Sequence, residues 1–213
     1  MEGSLIAKIS AGMAGIGAVS VGGAFMAYKS SNKNSITKYL NSLGRKIAES
    51  DEDWSLIKKN YSIDKENIPI PGIPKDSIET KLNDLKRWCK DGLKEEFARE
   101  KAEKGDYNLI QTWCTKPVKI SDHLKHMKLT SLDTSGSGDD DSWNKLKNTY
   151  PNGGLKINSI NTTGSNKTEG EELSSVDDIK KMKDWCSFTS EKYFKHSEDT
   201  LFKRYKYFCT KSS

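Results

Sequence analysis

The chain carries no glycine-rich phosphate loop, no nucleophile elbow, no zinc-protease helix and no dinucleotide fingerprint, so the familiar reaction chemistries have no seat in it. Arginine is almost missing: Arg45, Arg87, Arg99 and Arg204 are the full set. The net charge of +5 is therefore thin and lysine-borne. A nucleic-acid site wants basic residues clustered on one face, with the guanidinium fork that binds phosphate in pairs. Here lysine and glutamate alternate through Lys94-Glu95-Glu96-Phe97-Ala98-Arg99-Glu100-Lys101, the pattern of a solvated helix face. No nucleic-acid partner, no cofactor and no metal are expected, and the chain reads as a non-enzyme.

Core-forming residues are also scarce. Apolar residues make up 34% of the chain against 31% charged, the mean hydropathy is −0.76, and part of that apolar share is spent in the first 28 positions. Such a composition lies near the border where burial no longer offsets ordering entropy. Two small cores stapled by disulfides suit it better than one large core.

Long hydrophobic runs are limited to one. From Ile9 to Tyr28 no residue is charged, and as a helix this run would span about 30 Å, the thickness of a hydrocarbon core. The expectation is a transmembrane helix within residues 1–28, held in the bilayer through residues 9–28. Ser10, Ala14, Ala18 and Gly22 recur at four-residue spacing, which permits self-association of such helices. A cleaved signal peptide is the competing reading, with Lys8 as the charged start and Gly22-Gly23-Ala24 as a small-x-small site; the product would be secreted. Lys29, Lys33 and Lys38 beyond the run favour a cytoplasmic body, whereas paired cysteines favour an extracellular one. The cysteines carry more weight, because their pairing repeats.

Only four cysteines occur, and each follows an aromatic residue: Trp88-Cys89, Trp113-Cys114, Trp185-Cys186 and Phe208-Cys209. The separations pair off as 25 and 23 positions. Leu85-Lys86-Arg87-Trp88-Cys89 reads against Met182-Lys183-Asp184-Trp185-Cys186, and Cys114-Thr115-Lys116 against Cys209-Thr210-Lys211. Trp54 precedes Tyr61 by the same interval that separates Trp143 from Tyr150. One module is used twice. Four cysteines allow three pairings, and the matched spacings favour Cys89 with Cys114 and Cys186 with Cys209.

The fold class is mainly α: an N-terminal membrane helix followed by two small helical repeat modules, each disulfide-clamped. Residues 29–47 form a stalk and an amphipathic helix bearing Ile36, Tyr39, Leu40, Leu43 and Ile47. Module 1 covers 48–129, a Ser/Gly/Asp linker 130–141, and module 2 covers 142–213. The next helix opens on a capping-box pattern of Asp76 with Glu79, and its apolar face runs through Ile78, Leu82, Leu85 and Trp88. Asn152 to Glu172 reads as a mobile polar loop. Trp54, Trp88, Trp113, Trp143 and Trp185 are expected in the cores.

Three further patterns are weighed against plain alternatives. His123-x-x-His126 has metal-ligand spacing but no supporting ligands, and two exposed histidines are the plainer account. Asp133 to Asp141 begins like a calcium loop, but Asn144 stands where a bidentate glutamate is required. Asn60, Asn161 and Asn166 each open a glycosylation sequon, common by chance in so Asn- and Thr-rich a chain.

The Gly/Ala-rich segment from Leu5 to Tyr28, followed by a Lys/Asn-rich body with repeated Trp-Cys elements, resembles the paralogous surface proteins of haemotropic mycoplasmas. The resemblance implies a membrane-anchored protein with its body outside the cell, meeting a host-cell surface or host antibody. It carries no catalytic residues with it.

Overall fold

The computed structural model describes residues 35–65, 69–98 and 106–211. The expected membrane segment lies outside the described residues. Among those described, no helix is long and apolar enough to cross a membrane.

Among the described residues, eight helices and one hairpin follow in order: α1 (Ile36–Ser42), α2 (Asp51–Ile63), α3 (Ile78–Gly92), α4 (Asp106–Trp113), α5 (Ile120–His126), α6 (Asp140–Asn148), β1 (Asn158–Thr163), β2 (Asn166–Glu172), α7 (Ile179–Ser190) and α8 (Thr200–Cys209). The chain is mainly helical, as the apolar periodicities require, but the hairpin was not expected. Two hydrophobic cores form. The first draws on residues from Ile36 to Cys114, and the second on residues from Ile120 to Cys209.

The two halves share one backbone plan, and it starts earlier than the Trp-Cys pattern suggests. Ile36 N–H donates to Glu95 O at 2.9 Å, as Ile120 N–H does to Lys192 O at 2.9 Å. Each leading helix then ends in a left-handed residue, Gly44 (φ 72°) and Lys128 (φ 55°). A short antiparallel bridge follows. Ala48 N–H donates to Cys114 O and Lys116 N–H to Lys46 O; their counterparts are Leu132 N–H to Cys209 O and Lys211 N–H to Thr130 O. Each copy therefore closes on itself, its start tied to the residues around its last cysteine.

This plan moves several expected boundaries. Helix α1, expected as an amphipathic helix within 29–47 and outside both modules, buries Ile36, Tyr39 and Leu40 in the first core. Helix α5, placed from sequence in residues 48–129, belongs to the second core through Ile120 and Leu124. The Ser/Gly/Asp stretch 130–141 is a packed connection: Leu132 is buried, and Trp143 Nε1–H donates to Asp133 O at 2.9 Å. Asp133 Oδ1 folds the stretch by accepting from the N–H groups of Ser135 and Gly136 and from the Ser135 hydroxyl. Composition reads as flexible there because small polar residues serve local turns as well as linkers.

Helix starts also differ. The reciprocal capping box sits on α2, where Ser50 Oγ accepts from Asp53 N–H and Asp53 Oδ2 accepts from Ser50 N–H. Asp76 with Glu79 does not cap α3; a single 3-10 turn, Lys75–Ser77, leads into it. Beyond Gly92 the chain leaves the helix, and Glu96 bridges to Ser35 while Phe97 is buried. The alternating charges of 94–98 therefore line a return strand-like segment instead of a helix face.

Candidate functional site

The four cysteines form the pairs that the spacings favoured. Cys89 joins Cys114 with Cα atoms 5.3 Å apart, and Cys186 joins Cys209 at 5.6 Å. Each bridge ties the long helix of its copy, α3 or α7, to the end of the last, α4 or α8. Closing loops of 25 and 23 residues stabilises each copy by about 3 kcal/mol in the loop-entropy model.

Four of the five tryptophans are buried: Trp54, Trp113, Trp143 and Trp185. Trp88 is only half-buried and packs against the edge of the first core. It and Trp185 hold equivalent sequence positions, yet Trp185 is fully enclosed. Strand β1 packs on α7, and nothing comparable lies on α3 among the described residues.

His123 is not the exposed histidine expected from its Lys-rich surroundings. Its ring stacks on Phe194 at 3.7 Å and meets Phe202 edge-on, just as Tyr39 stacks on Phe97 at 3.9 Å and meets Tyr107 edge-on in the first copy. Burial, with Arg45 and His126 nearby, pushes its pKa down to about 3, so the ring is neutral. The sequence signal was available: position 123 follows Ile120 as Tyr39 follows Ile36. No group of three or more metal-ligating side chains occurs among the described residues.

The two copies meet through named contacts. Arg45 is enclosed, with its guanidinium 5.0 Å from the Phe194 ring centre and hydrogen-bonded to Thr115 Oγ1. Burial pushes its pKa down to about 10, which leaves it charged at neutral pH. Its Nε and Nη1 find no acceptor among the described residues. Gly44 permits this approach, since a Cβ there would come within 2.8 Å of His126 Nδ1. Farther along the same junction, Asp64 of the first copy pairs with Lys195 of the second at 2.7 Å and with Lys75 at 3.2 Å.

Beside that ion pair lies a cleft of about 320 Å³ between the copies. Helices α2 and α4 supply Ile57, Ile63 and Trp113 on one side, and the chain after α7 supplies Lys192, Phe194 and Lys195 on the other. Glu169 of the hairpin reaches its rim. Its lining mixes apolar side chains with charged ones, Asp64, Lys65, Glu169, Lys192 and Lys195, a combination that suits binding.

The hairpin is the other exposed feature. Residues 161 to 169 are all solvent-exposed, including Asn161 and Asn166 of two sequons. Gly164, at φ 61°, starts the two-residue turn between Thr163 and Asn166.

Comparison with protein-family models, with curated proteins and with solved structures found no match.

Proposed function

We propose that this chain is a single-pass, membrane-anchored surface protein without enzymatic activity, which acts by display or by contacting a host partner through the β1–β2 hairpin. The observation that carries the reading is the asymmetry between two otherwise matched copies. In both, a tyrosine hydroxyl closes the connection between the second and third helices. In the first copy the clamped segment is a tight turn between Ile70 and Ile73, and in the second it is an exposed polar hairpin between Ile157 and Leu173. Scaffold and contact element are thus separable, which is how variable binding segments are usually carried.

The anchor rests on the uncharged run from Ile9 to Tyr28, and the extracellular body on disulfides, which persist outside the cytosol. A secreted protein released by signal cleavage shares the same body, with Gly22-Gly23-Ala24 as the supporting observation.

The test is labelling of intact cells with a membrane-impermeant amine reagent, followed by fractionation. Lys167, at the exposed hairpin turn, should be labelled before lysis, and the protein should sediment with membranes until residues 1–28 are deleted. Labelling of Lys167 only after lysis sinks the display reading. Release into the medium of a chain that lacks its first residues supports the secreted alternative.

A further inference from the structure

We infer that the cleft between the two copies is a binding site for a small amphipathic carboxylate, one with a short apolar or aryl body and a single anionic end. This inference stands apart from the display reading, because it concerns a different surface and needs neither the anchor nor the hairpin turn.

Size sets the first limit. At about 20–30 Å³ per non-hydrogen atom, a space of about 320 Å³ takes a molecule of roughly ten to fifteen such atoms. The wall chemistry sets the second. Ile57, Phe194 and Trp113 offer an apolar lining, and the burial of Phe194 and Trp113 fixes their positions.

The mouth carries the observation that asks for an occupant. Ile63 lies on it and is 66% exposed, and Leu56 is the other exposed large apolar side chain among the described residues. Both stand on α2, but only Ile63 lines the cleft. An isoleucine left in water at the edge of an apolar hollow regains its burial when a ligand covers it.

Charge decides the sign of the polar end. The charged side chains that line the cleft are Asp64 and Glu169 against Lys65, Lys192 and Lys195, so ammonium groups outnumber carboxylates there. Lys192 stands exposed at the edge, above the Phe188 ring at 4.2 Å, with no carboxylate partner among the described residues. Glu169 is the opposing charge, on the hairpin side. An anion entering between Lys192 and Lys195 gains attraction from both, whereas a cation would meet the same two groups as repulsion. A carboxylate on an apolar stem matches this layout. The same chemistry occurs in a free short-chain acid and in the C-terminus of an apolar peptide.

The test uses the full chain purified in a neutral detergent, with protein-free detergent as the blank. Saturation-transfer NMR is recorded with 4-phenylbutyrate, 4-phenylbutanol, 4-phenylbutylamine and a tetrapeptide ending in Leu-Phe with a free or amidated C-terminus. Phenylbutyrate should give a transfer signal at least tenfold above the alcohol and the amine. Ile63→Asp should remove that signal, Lys192→Glu should lower it about tenfold, and Leu56→Asp should leave it unchanged. Competition by the free-acid peptide alone would assign the physiological source as a peptide terminus; no competition would assign a free acid. Equal signals from acid and amine, or equal losses in Ile63→Asp and Leu56→Asp, would overturn the site. So would phenylbutyrate matching that blank. Because Ile63 and Lys192 are exposed, these substitutions leave both cores in place, and unchanged disulfide mapping confirms it.

Discussion

Tyr61 and Tyr150 hold the same two-bond clamp in the two copies. Tyr61 donates to Ile73 O at 2.6 Å and accepts from Ile70 N–H at 2.8 Å; Tyr150 donates to Leu173 O at 2.8 Å and accepts from Ile157 N–H at 2.9 Å. Behind each clamp one backbone bond closes the segment, Ile73 N–H to Ile70 O and Leu173 N–H to Ile157 O. The hydroxyls thus satisfy one donor and one acceptor that burial would otherwise leave orphaned. Burial raises the pKa of both phenols, in keeping with a neutral hydroxyl that both donates and accepts.

Tyr61→Phe should therefore cost the first copy about 1–3 kcal/mol, the usual penalty for an unsatisfied buried group, and Tyr150→Phe should cost the second copy a similar amount. Limited proteolysis in urea, with fragments assigned to each half, reads the two effects separately. A loss below about 0.5 kcal/mol in both would show that water replaces the hydroxyls freely.

The clamp also predicts that the hairpin is dispensable to the second core. Replacing residues 158–172 with Pro-Gly, the residues that stand between Ile70 and Ile73, should preserve the Cys186–Cys209 bridge and the helical circular dichroism. Some loss is expected, because Ile160 packs on the core and Asn158 Oδ1 accepts from Arg204 at 3.0 Å. A shortened chain that scrambles its disulfides would mean that the hairpin takes part in folding the second core.

Sequence reading reached the helices, the doubling and the cysteine pairs, because apolar spacing and Trp-Cys motifs are local signals. It missed what depends on partners distant in the chain. Helix α5 went to the wrong copy because Tyr39 and His123 look unrelated until both are seen stacked on a phenylalanine. The hairpin went unread because Asn and Thr richness masked its Thr-Gly-Ser-Asn turn, a recognisable signature. The cleft had no local signal at all: Ile63 and Lys192 meet only once the two copies dock.

The two equivalent tryptophans should behave differently. Trp185→Ala empties a fully enclosed site and should cost about 3–5 kcal/mol, enough to unfold the second copy. Trp88 is only partly buried, so Trp88→Ala should cost less than Trp185→Ala and leave the first copy folded. Guanidinium unfolding of each variant, compared with the parent, measures the ratio. Equal losses would mean that Trp88 is more enclosed in solution than its half-buried position allows.

Stability should fall as the pH drops from about 6.5 towards 4.5, a loss that begins well above the pH at which carboxylates titrate. The groups responsible are His123 and His196, both buried. Burial first, then Arg45 and His126, pushes His123 down to about 3; burial first, then Lys195, pushes His196 down to about 4, against the partial opposition of Glu198 and Asp64. Both folded-state values lie below the ordinary histidine pKa of 6.5. In this window the unfolded chain therefore binds more protons than the folded one, and stability rises with pH. The full contribution is present above pH 6.5 and is lost as the pH falls towards the folded values. The slope should be roughly 1 kcal/mol per pH unit for each histidine. His123→Phe preserves the stack on Phe194 and removes one titrating group, so it should halve the slope; adding His196→Phe should nearly abolish it. Urea midpoints taken between about pH 4.5 and 6.5 decide the matter. A double variant as pH-sensitive as the parent would show that both imidazoles reach water in the folded protein.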